Sequence, residues 1–356
     1  MNVNLLLNAA NRSWILQKIA ENLAEHLRPL NVQASITDTM DESADLVHHM
    51  SWAFANIKTR RPSTMFITHL DDIYKLNQVR ATLASDVSVG ICMSSDTMRQ
   101  LVDHGAAAKS LCFISPAHDG LIARRRTVIG MTSRVYADGR KREALLKEMA
   151  RRMRLDGFEF RIFGLGWEPT IAELERAGAK VTYFGESDDF RKDYDTIQAE
   201  IPKFDYYLYL GMDEGSLGTL DALSAGVATI VTPQGFHLDL PGGITHPVIT
   251  LDDLERVFRA LDAEGRSRVD SVAGLTWSTY ASRHAAVWEA LVNNKPLPAH
   301  PELQVTPDSD RLALNAFRDK SIHANAFQPR RLISAISHWP ALKSLRRAVD
   351  KVRLGR

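Results

Sequence analysis

Residues 206–231 read YYLYLGMDEGSLGTLDALSAGVATIV, and this stretch decides the fold. Tyr206–Leu210 is a short apolar run closed by Gly211, which is the pattern of a buried strand. A helix is expected near 217–225, and Ala228–Val231 forms a second apolar run. Strand, helix and strand in such quick succession imply a βαβ unit with parallel strands. Between them, Met212–Gly226 gathers acids, glycines and a helix start at the carboxyl end of a strand. Gly215 and Gly218 let backbone approach a ligand closely, and Ser216 or Thr219 can cap the helix. A helix N-terminus offers free N–H groups and partial positive charge, which suits phosphate. Carboxylates suit sugar hydroxyls, with which they form charge-assisted hydrogen bonds. The plainer alternative is an Asp-Glu-Gly turn, with acids placed in a first helical turn for its dipole.

The same rhythm extends in both directions. Val3–Asn8, Val32–Thr37, Thr64–Thr68, Val87–Met93 and Ser110–Ile114 read as strands in the first part of the chain. Thr127–Met131, Phe158–Phe163 and Lys180–Phe184 precede the opening stretch in the second. Helices are expected after Ser13, with Trp14, Ile15, Ile19, Leu23 and Leu27 at helical spacing, and near 138–154, 169–177 and 187–201. The fold class is therefore α/β, with two doubly wound, Rossmann-like domains facing a cleft. Ligands of such sheets bind outside the carboxyl ends of the strands. The run ISPAHDGLIARRR (114–126) breaks the rhythm as a linker. The expected layout is a Rossmann-like domain at 1–117, a second at 126–275, a helix at 276–296, and an extended arm with a basic C-terminal helix at 297–356.

Composition narrows the function classes. The chain has 356 residues, 45% hydrophobic and 24% charged, enough apolar surface for two cores. A net charge of +1 gives no global field to recruit nucleic acid. Residues 330–356 hold eight basic residues against Asp350, a local +7 that leaves −6 on the rest. Such a tail reads as an anchor for anionic membrane lipid, or as a solvated or oligomer-contact helix. Cys92 and Cys112 form no disulfide framework, and the N-terminus lacks a signal peptide's basic region, so a reducing, cytoplasmic setting is expected. No His/Cys/carboxylate spacing marks a metal site, no Gly-x-Ser-x-Gly elbow a hydrolase, and no Walker loop an ATP-dependent phosphoryl transfer. His237, just past Pro233–Gly235, lies close enough to the Met212–Gly226 segment for a minor substrate role.

Met212–Gly226 resembles the donor-site signature of GT-B glycosyltransferases, especially the large retaining group (family 4-like). That signature is an acid, seven intervening residues and a second acid, followed by an Ala-rich helix, Gly and an apolar strand. Here Asp213 and Asp221 stand eight positions apart where the family usually has Glu, and Glu214 is one residue out of register. The resemblance implies that Asp213 or Glu214 contacts the donor sugar and that Asp221 holds the ribose hydroxyls. It places Gly215, Ser216, Leu217, Gly218 and Thr219 along the donor. In TVIGMTSRVYADGRKR (127–142) it implies that Arg134 clamps the diphosphate, with Arg140 and Lys141 competing for the second cation; the alternative is a solvated basic helix start. Gly164 in FRIFGLGWEP and Gly185 after KVTYF mark the next strand ends, the latter where the family places its base-contacting loop.

In the first domain the resemblance implies a cleft role for His69, with Asp71 and Asp72 beside it, and for Asn11 in the loop Ala9–Arg12, where many relatives carry glycine. LTWSTYASRHAAVWEALV (275–292) resembles the family's long helix that crosses back onto the first domain, with Trp277, Tyr280, His284 and Trp288 as packing residues. The activity so implied is metal-independent, cofactor-free transfer of a sugar from a nucleotide-diphosphate sugar to a glycan or lipid-linked acceptor, with retention. The setting implied is surface polysaccharide or lipopolysaccharide assembly, peripheral to the membrane. In an inverting mechanism His69 or Asp72 would be the base. The alternatives are a sugar-nucleotide epimerase and a GT-B-shaped binding protein without turnover.

Overall fold

The computed structural model describes residues 1–9, 14–55 and 58–299. Asn11, Ser13 and the basic tail lie outside the described residues. The chain forms two compact units, Met1–Asp119 with the chain from Leu275 onward, and Gly120–Gly274.

The first unit is built on β1 (Asn2–Leu6), α1 (Ile15–Leu27), β2 (Gln33–Thr37), β3 (Leu46–His49), β4 (Ser63–Ile67), α2 (Ile73–Ser85), β5 (Val89–Cys92), α3 (Ser95–Asp103) and β6 (Leu111–Phe113). Its six strands are all parallel, in the order β2-β1-β3-β4-β5-β6. Side chains alternate between two apolar layers, as a sheet covered on both faces requires. Val3, Leu5, Phe66 and Ile91 join Leu23 and Leu27 of α1 in one layer. Met65, Ile67 and Cys92 join Leu76 and Val79 of α2 and Leu101 of α3 in the other.

The second unit contains β7 (Thr127–Thr132), α4 (Glu143–Arg152), β8 (Phe158–Phe163), α5 (Glu168–Arg176), β9 (Lys180–Phe184), α6 (Phe190–Glu200), β10 (Tyr206–Tyr209), α7 (Leu217–Ser224), β11 (Ala228–Val231), β12 (His246–Pro247) and α8 (Leu251–Asp270). Its strands are again parallel, in the order β12-β11-β10-β7-β8-β9. One layer packs Ile129, Met131, Phe160 and Ile162 against α4, α5 and α8; the other packs Tyr207, Tyr209 and Val231 with Ala222 of α7. These two six-stranded parallel sheets with flanking helices are the two Rossmann-like domains that the GT-B resemblance implies. The three arginines of the linker dock on this unit: Arg124 pairs with Asp262 at 2.9 Å, Arg125 with Asp205, and Arg126 reaches the carbonyls of Phe158 and Gly178.

The last described helix, α9 (Trp277–Val292), belongs to the first unit and packs along α1. Trp277, Tyr280, His284 and Trp288 are buried, as expected of packing residues. The Trp288 indole N–H donates to the Thr64 hydroxyl at 3.1 Å, and that hydroxyl also bonds His48 Nδ1 at 2.8 Å. These bonds explain why β3, which carries His48 and His49 in an LVHH run, is a central strand despite a weak apolar signal. The α8 helix begins with a Thr250–Asp253 capping box and also does not stand out as a pattern in the sequence. Among the described residues no helix is long and apolar enough to cross a membrane.

Because Trp288 is fully enclosed and hydrogen-bonded, Trp288→Ala is expected to cost about 3–5 kcal/mol. Trp288→Phe, which loses mainly the bond to Thr64, is expected to cost about 1–2 kcal/mol. Denaturant unfolding of the two variants checks both the size and the order.

Candidate functional site at the carboxyl edge of the second sheet

Strand order locates the site within the second unit. The chain runs outward from β7 to β8 and β9 on one side, then returns to β10 and runs to β11 and β12 on the other. The crevice between the carboxyl ends of β7 and β10 is therefore the topological switch point, where doubly wound sheets bind ligands. Two loops meet there: Ser133–Arg142 after β7, and Gly211–Ser216 after β10.

The loops are joined through the Asp213 carboxylate. Lys141 Nζ donates to Asp213 Oδ2 at 2.7 Å and to the Tyr209 hydroxyl at 2.6 Å, while the Tyr209 hydroxyl donates to Asp213 Oδ1. The Gly215 N–H adds a bond to Oδ1 at 3.3 Å, and Met212 N–H donates to the Arg140 carbonyl at 2.7 Å. Partial burial pushes the Asp213 carboxyl up, but the bonds from Lys141 and Tyr209 outweigh it and hold it below the usual carboxylate range. Burial and the adjacent Asp213 push the Tyr209 phenol well above its ordinary value, so it remains a donor. Lys141 is only 12% exposed, whereas Arg140 is exposed, its guanidinium 3.9 Å over the Tyr136 ring and 3.9 Å from Asp213.

This geometry corrects one alternative. Arg140 and Lys141 do not start a solvated helix: Gly139 and Arg142 both adopt positive φ, and α4 begins only at Glu143. The two cations sit instead on the loop that faces Asp213.

The start of α7 departs from the sequence reading in a second way. Ser216 occupies the N-cap position, yet its hydroxyl bonds the buried Tyr207 hydroxyl at 2.8 Å rather than the helix. The Thr219 hydroxyl bonds His237 Nε2 at 3.0 Å, and Ser216 N–H donates to the same nitrogen at 3.3 Å. His237 Nδ1 faces the Thr232 carbonyl at 3.0 Å, which fixes the tautomer with the proton on Nδ1. His237 is thus a buried support for this helix start, and among the described residues no side chain caps the leading N–H groups at Leu217 and Gly218.

The glycines there are closely surrounded by the chain itself. A Cβ on Gly218 would fall 2.1 Å from Thr132 Oγ1 and 2.4 Å from the Tyr207 hydroxyl, and one on Gly215 would strike the Phe236 ring at 2.7 Å. Their missing side chains make room for this chain's own packing. A Cβ on Gly164 would likewise meet the Ser133 carbonyl, whereas Gly185 opens onto free space.

Two acids at the site have no partner. Glu214, exposed, and Asp221, half-buried on α7, make no hydrogen bond or ion pair through their carboxylates among the described residues. Beside the switch point, a cavity of about 630 Å³ runs along the carboxyl ends of β7, β8 and β9, with α6 as its wall. Arg134 and Glu186 both line it, and the Arg134 guanidinium grips both oxygens of the Glu186 carboxylate.

In the first unit, His69 follows β4 as expected, exposed, with Nδ1 2.9 Å from the Thr68 hydroxyl. The expectation for Asp72 is corrected: its carboxylate accepts from Lys75 N–H at 2.8 Å as the N-cap of α2 and is nearly buried, so it is engaged as a structural cap. Asp71 is paired with Lys75. Asn11 lies outside the described residues.

Tyr207, Tyr209 and Glu186 escape the sequence reading. The tyrosines are hidden inside an apolar strand run, where only alternation toward the α7 side distinguishes them. Glu186 is one acid in a polar run, GESDD, and its pairing with Arg134 spans 52 positions.

No family model and no curated protein matches this chain. Among solved structures, Anabaena HepE in complex with UDP and glucose is 14% identical, covering 82% of this chain and 100% of that one, with a TM-score of 0.33. The lipopolysaccharide outer core galactosyltransferase WaaB, in its apo form, is 14% identical over 79% of this chain and 97% of that one, with a TM-score of 0.34. AviGT4, a glycosyltransferase involved in avilamycin A biosynthesis, is 14% identical over 83% and 98%, with a TM-score of 0.29. Likenesses of this size leave the chemistry to be argued from this chain's own residues.

Two outcomes are expected of the site's construction. Gly218→Ala should destabilise by about 1–3 kcal/mol, since the added methyl displaces the Thr132–Tyr207 bond; denaturant unfolding reads this directly. Asp213 has a depressed pKa in the folded state, so its contribution to stability is present above the unfolded pKa and is lost as pH falls through the folded one. The stability gap between wild type and Asp213→Asn should accordingly be open at pH 7 and narrow below about pH 4.

Proposed function

We propose that the protein is a glycosyltransferase that takes a sugar from a nucleotide-diphosphate sugar held on the second unit. One observation carries this reading: the β7/β10 switch point brings together an uncapped helix start, three cations (Arg134, Arg140 and Lys141) and two unpartnered carboxylates, Glu214 and Asp221. The helix start and the cations suit a diphosphate. The acids suit hydroxyl groups on either side of it, and a nucleotide-diphosphate sugar carries all three groups in that order.

The roles of the acids follow from what is free; the cations Lys141 and Arg134, paired with Asp213 and Glu186 in the ligand-free protein, turn to the diphosphate, with Arg140 beside them. As the bond from the anomeric carbon to the phosphate oxygen breaks, negative charge grows on the departing diphosphate, and fixed cations stabilise it. Glu214 is favoured over Asp213 as the acid that orients the sugar, because Asp213 is occupied by Lys141 and Tyr209. Asp221 holds the ribose.

Transfer with retention fits the residues. The donor's own phosphate oxygen can take the acceptor's proton, and Asp72 is engaged as a helix cap; His69 remains the candidate base for inversion. The acceptor is assigned to the first unit and is a glycan or lipid-linked sugar, as in surface polysaccharide assembly. The basic tail gives a means of contact with an anionic membrane.

The test is thermal stability against a panel of UDP-, GDP-, ADP- and TDP-sugars. A ligand at ~100 times its Kd contributes ~2.7 kcal/mol to the folded state, so a selective rise in Tm is expected for at least one donor. No rise with any of them overturns the reading. With the donor in hand, Glu214→Gln should slow transfer by roughly 10- to 100-fold with little change in Tm, the loss of one charge-assisted bond to the sugar. Lys141→Met should weaken the nucleoside diphosphate itself.

A further inference from the structure

We infer that Glu186 reads the base of the donor and selects guanine; this rests on the proposed function and names the donor nucleotide within it. The direction of the bound nucleotide follows from the sheet. With the diphosphate at the β7/β10 crevice, a base can extend along the carboxyl edge toward β8 and β9 or toward β11 and β12. The β11 side is filled by the Gly235–Asp239 turn, whose Phe236 and His237 pack against Gly215. The β8–β9 side is the open cavity of about 630 Å³. Two strand spacings, about 10 Å, separate the crevice from the β8/β9 ends. That matches the reach from a diphosphate to its base.

The lining specifies the base. Phe163 and Phe184 both face the cavity, with rings stacked 4.2 Å apart and nearly parallel, and Ile197 adds an apolar wall. Two carboxylates line this cavity: Asp193 already accepts from the Ser187 N–H and hydroxyl, whereas Glu186, its side chain 21% exposed, is held only by the Arg134 guanidinium. An ionised carboxylate only accepts, so it needs N–H donors. Guanine offers two adjacent donors, the ring N1–H and the 2-amino group, in the spacing a carboxylate takes with both oxygens. Uracil and thymine place one N–H between two carbonyls, which the carboxylate repels. Adenine sets its amino group beside a lone-pair nitrogen.

The Arg134 fork completes the device. In the ligand-free protein Arg134 satisfies both Glu186 oxygens, so the carboxylate is not left unpaired. When Arg134 turns to the diphosphate, Glu186 is released to the base. A nucleotide that supplies phosphate but not two donors leaves Glu186 unpaired in a half-buried position, which is costly.

The experiment is calorimetric titration of the full chain with GDP, UDP and ADP, on wild type, Glu186→Gln and Glu186→Asp, with Tm measured alongside. Wild type is expected to bind GDP about tenfold or more tighter than UDP or ADP, the discrimination of one bidentate pair to a base. Glu186→Gln should abolish that ratio without weakening UDP or ADP, and Glu186→Asp should retain part of it. Wild type preferring UDP or ADP overturns the proposal while leaving the transferase reading in place. A GDP preference that survives in Glu186→Gln does the same, as does an equal loss on all three nucleotides, which would assign Glu186 to the ribose or phosphates. No binding by any nucleotide overturns both.

Discussion

The Asp213 carboxylate is the joint of the candidate site. One oxygen takes the Lys141 ammonium from the loop after β7, and the other takes the Tyr209 hydroxyl and the Gly215 N–H from the chain leaving β10. A half-buried charge satisfied on both sides is well placed, but each partner depends on the others: removing Asp213 leaves Lys141, which is largely covered, without its counter-charge. The joint thus sets the positions of the two loops at the switch point. It also settles by elimination which groups are available for other work. Asp213 and Lys141 begin in each other's grip, whereas Glu214 and Asp221 begin without one.

A second network sits beneath the first and does a complementary job. Thr132, Tyr207, Ser216, Thr219 and His237 are linked hydroxyl to hydroxyl and hydroxyl to imidazole under the start of α7. The Ser216 and Thr219 hydroxyls, at the helix start, would normally compete for its free N–H donors. Here they bond Tyr207 and His237 inside the core, so the helix start keeps its donors and its partial positive charge. The absence of a Gly218 side chain is what lets α7 lie close enough for the network to close.

Much of the architecture was legible because parallel strands buried on both faces must be short apolar runs. Ten of the twelve strands among the described residues coincide with such runs, among them Phe158–Phe163 and Ala228–Val231 residue for residue. The exceptions have local causes. In β3 the histidines interrupt the apolar signal, and His48 packs on Thr64, His284 and Trp288, the last 240 positions away in sequence. The strand β12 is two residues long, too short for any periodicity to register. At the site, the acids, the loop cations and the glycines stood out by type and position. Their assignments to sugar, ribose and phosphate came from the family resemblance.

The sequence by itself determined the two doubly wound domains and the segment Met212–Gly226 as the place where polar groups gather at a strand's carboxyl end. Those properties are carried by spacing along the chain, and spacing is local. Only the tertiary structure decided which acid is engaged and which is free, that the Ser216 and Thr219 hydroxyls turn to Tyr207 and His237 rather than cap the start of α7, and that Arg134 rests on Glu186. Each of those outcomes depends on which distant hydroxyl, ring or carboxylate the fold brings within about 3 Å, the range over which a hydrogen bond exists at all. No periodicity in a single chain encodes that distance.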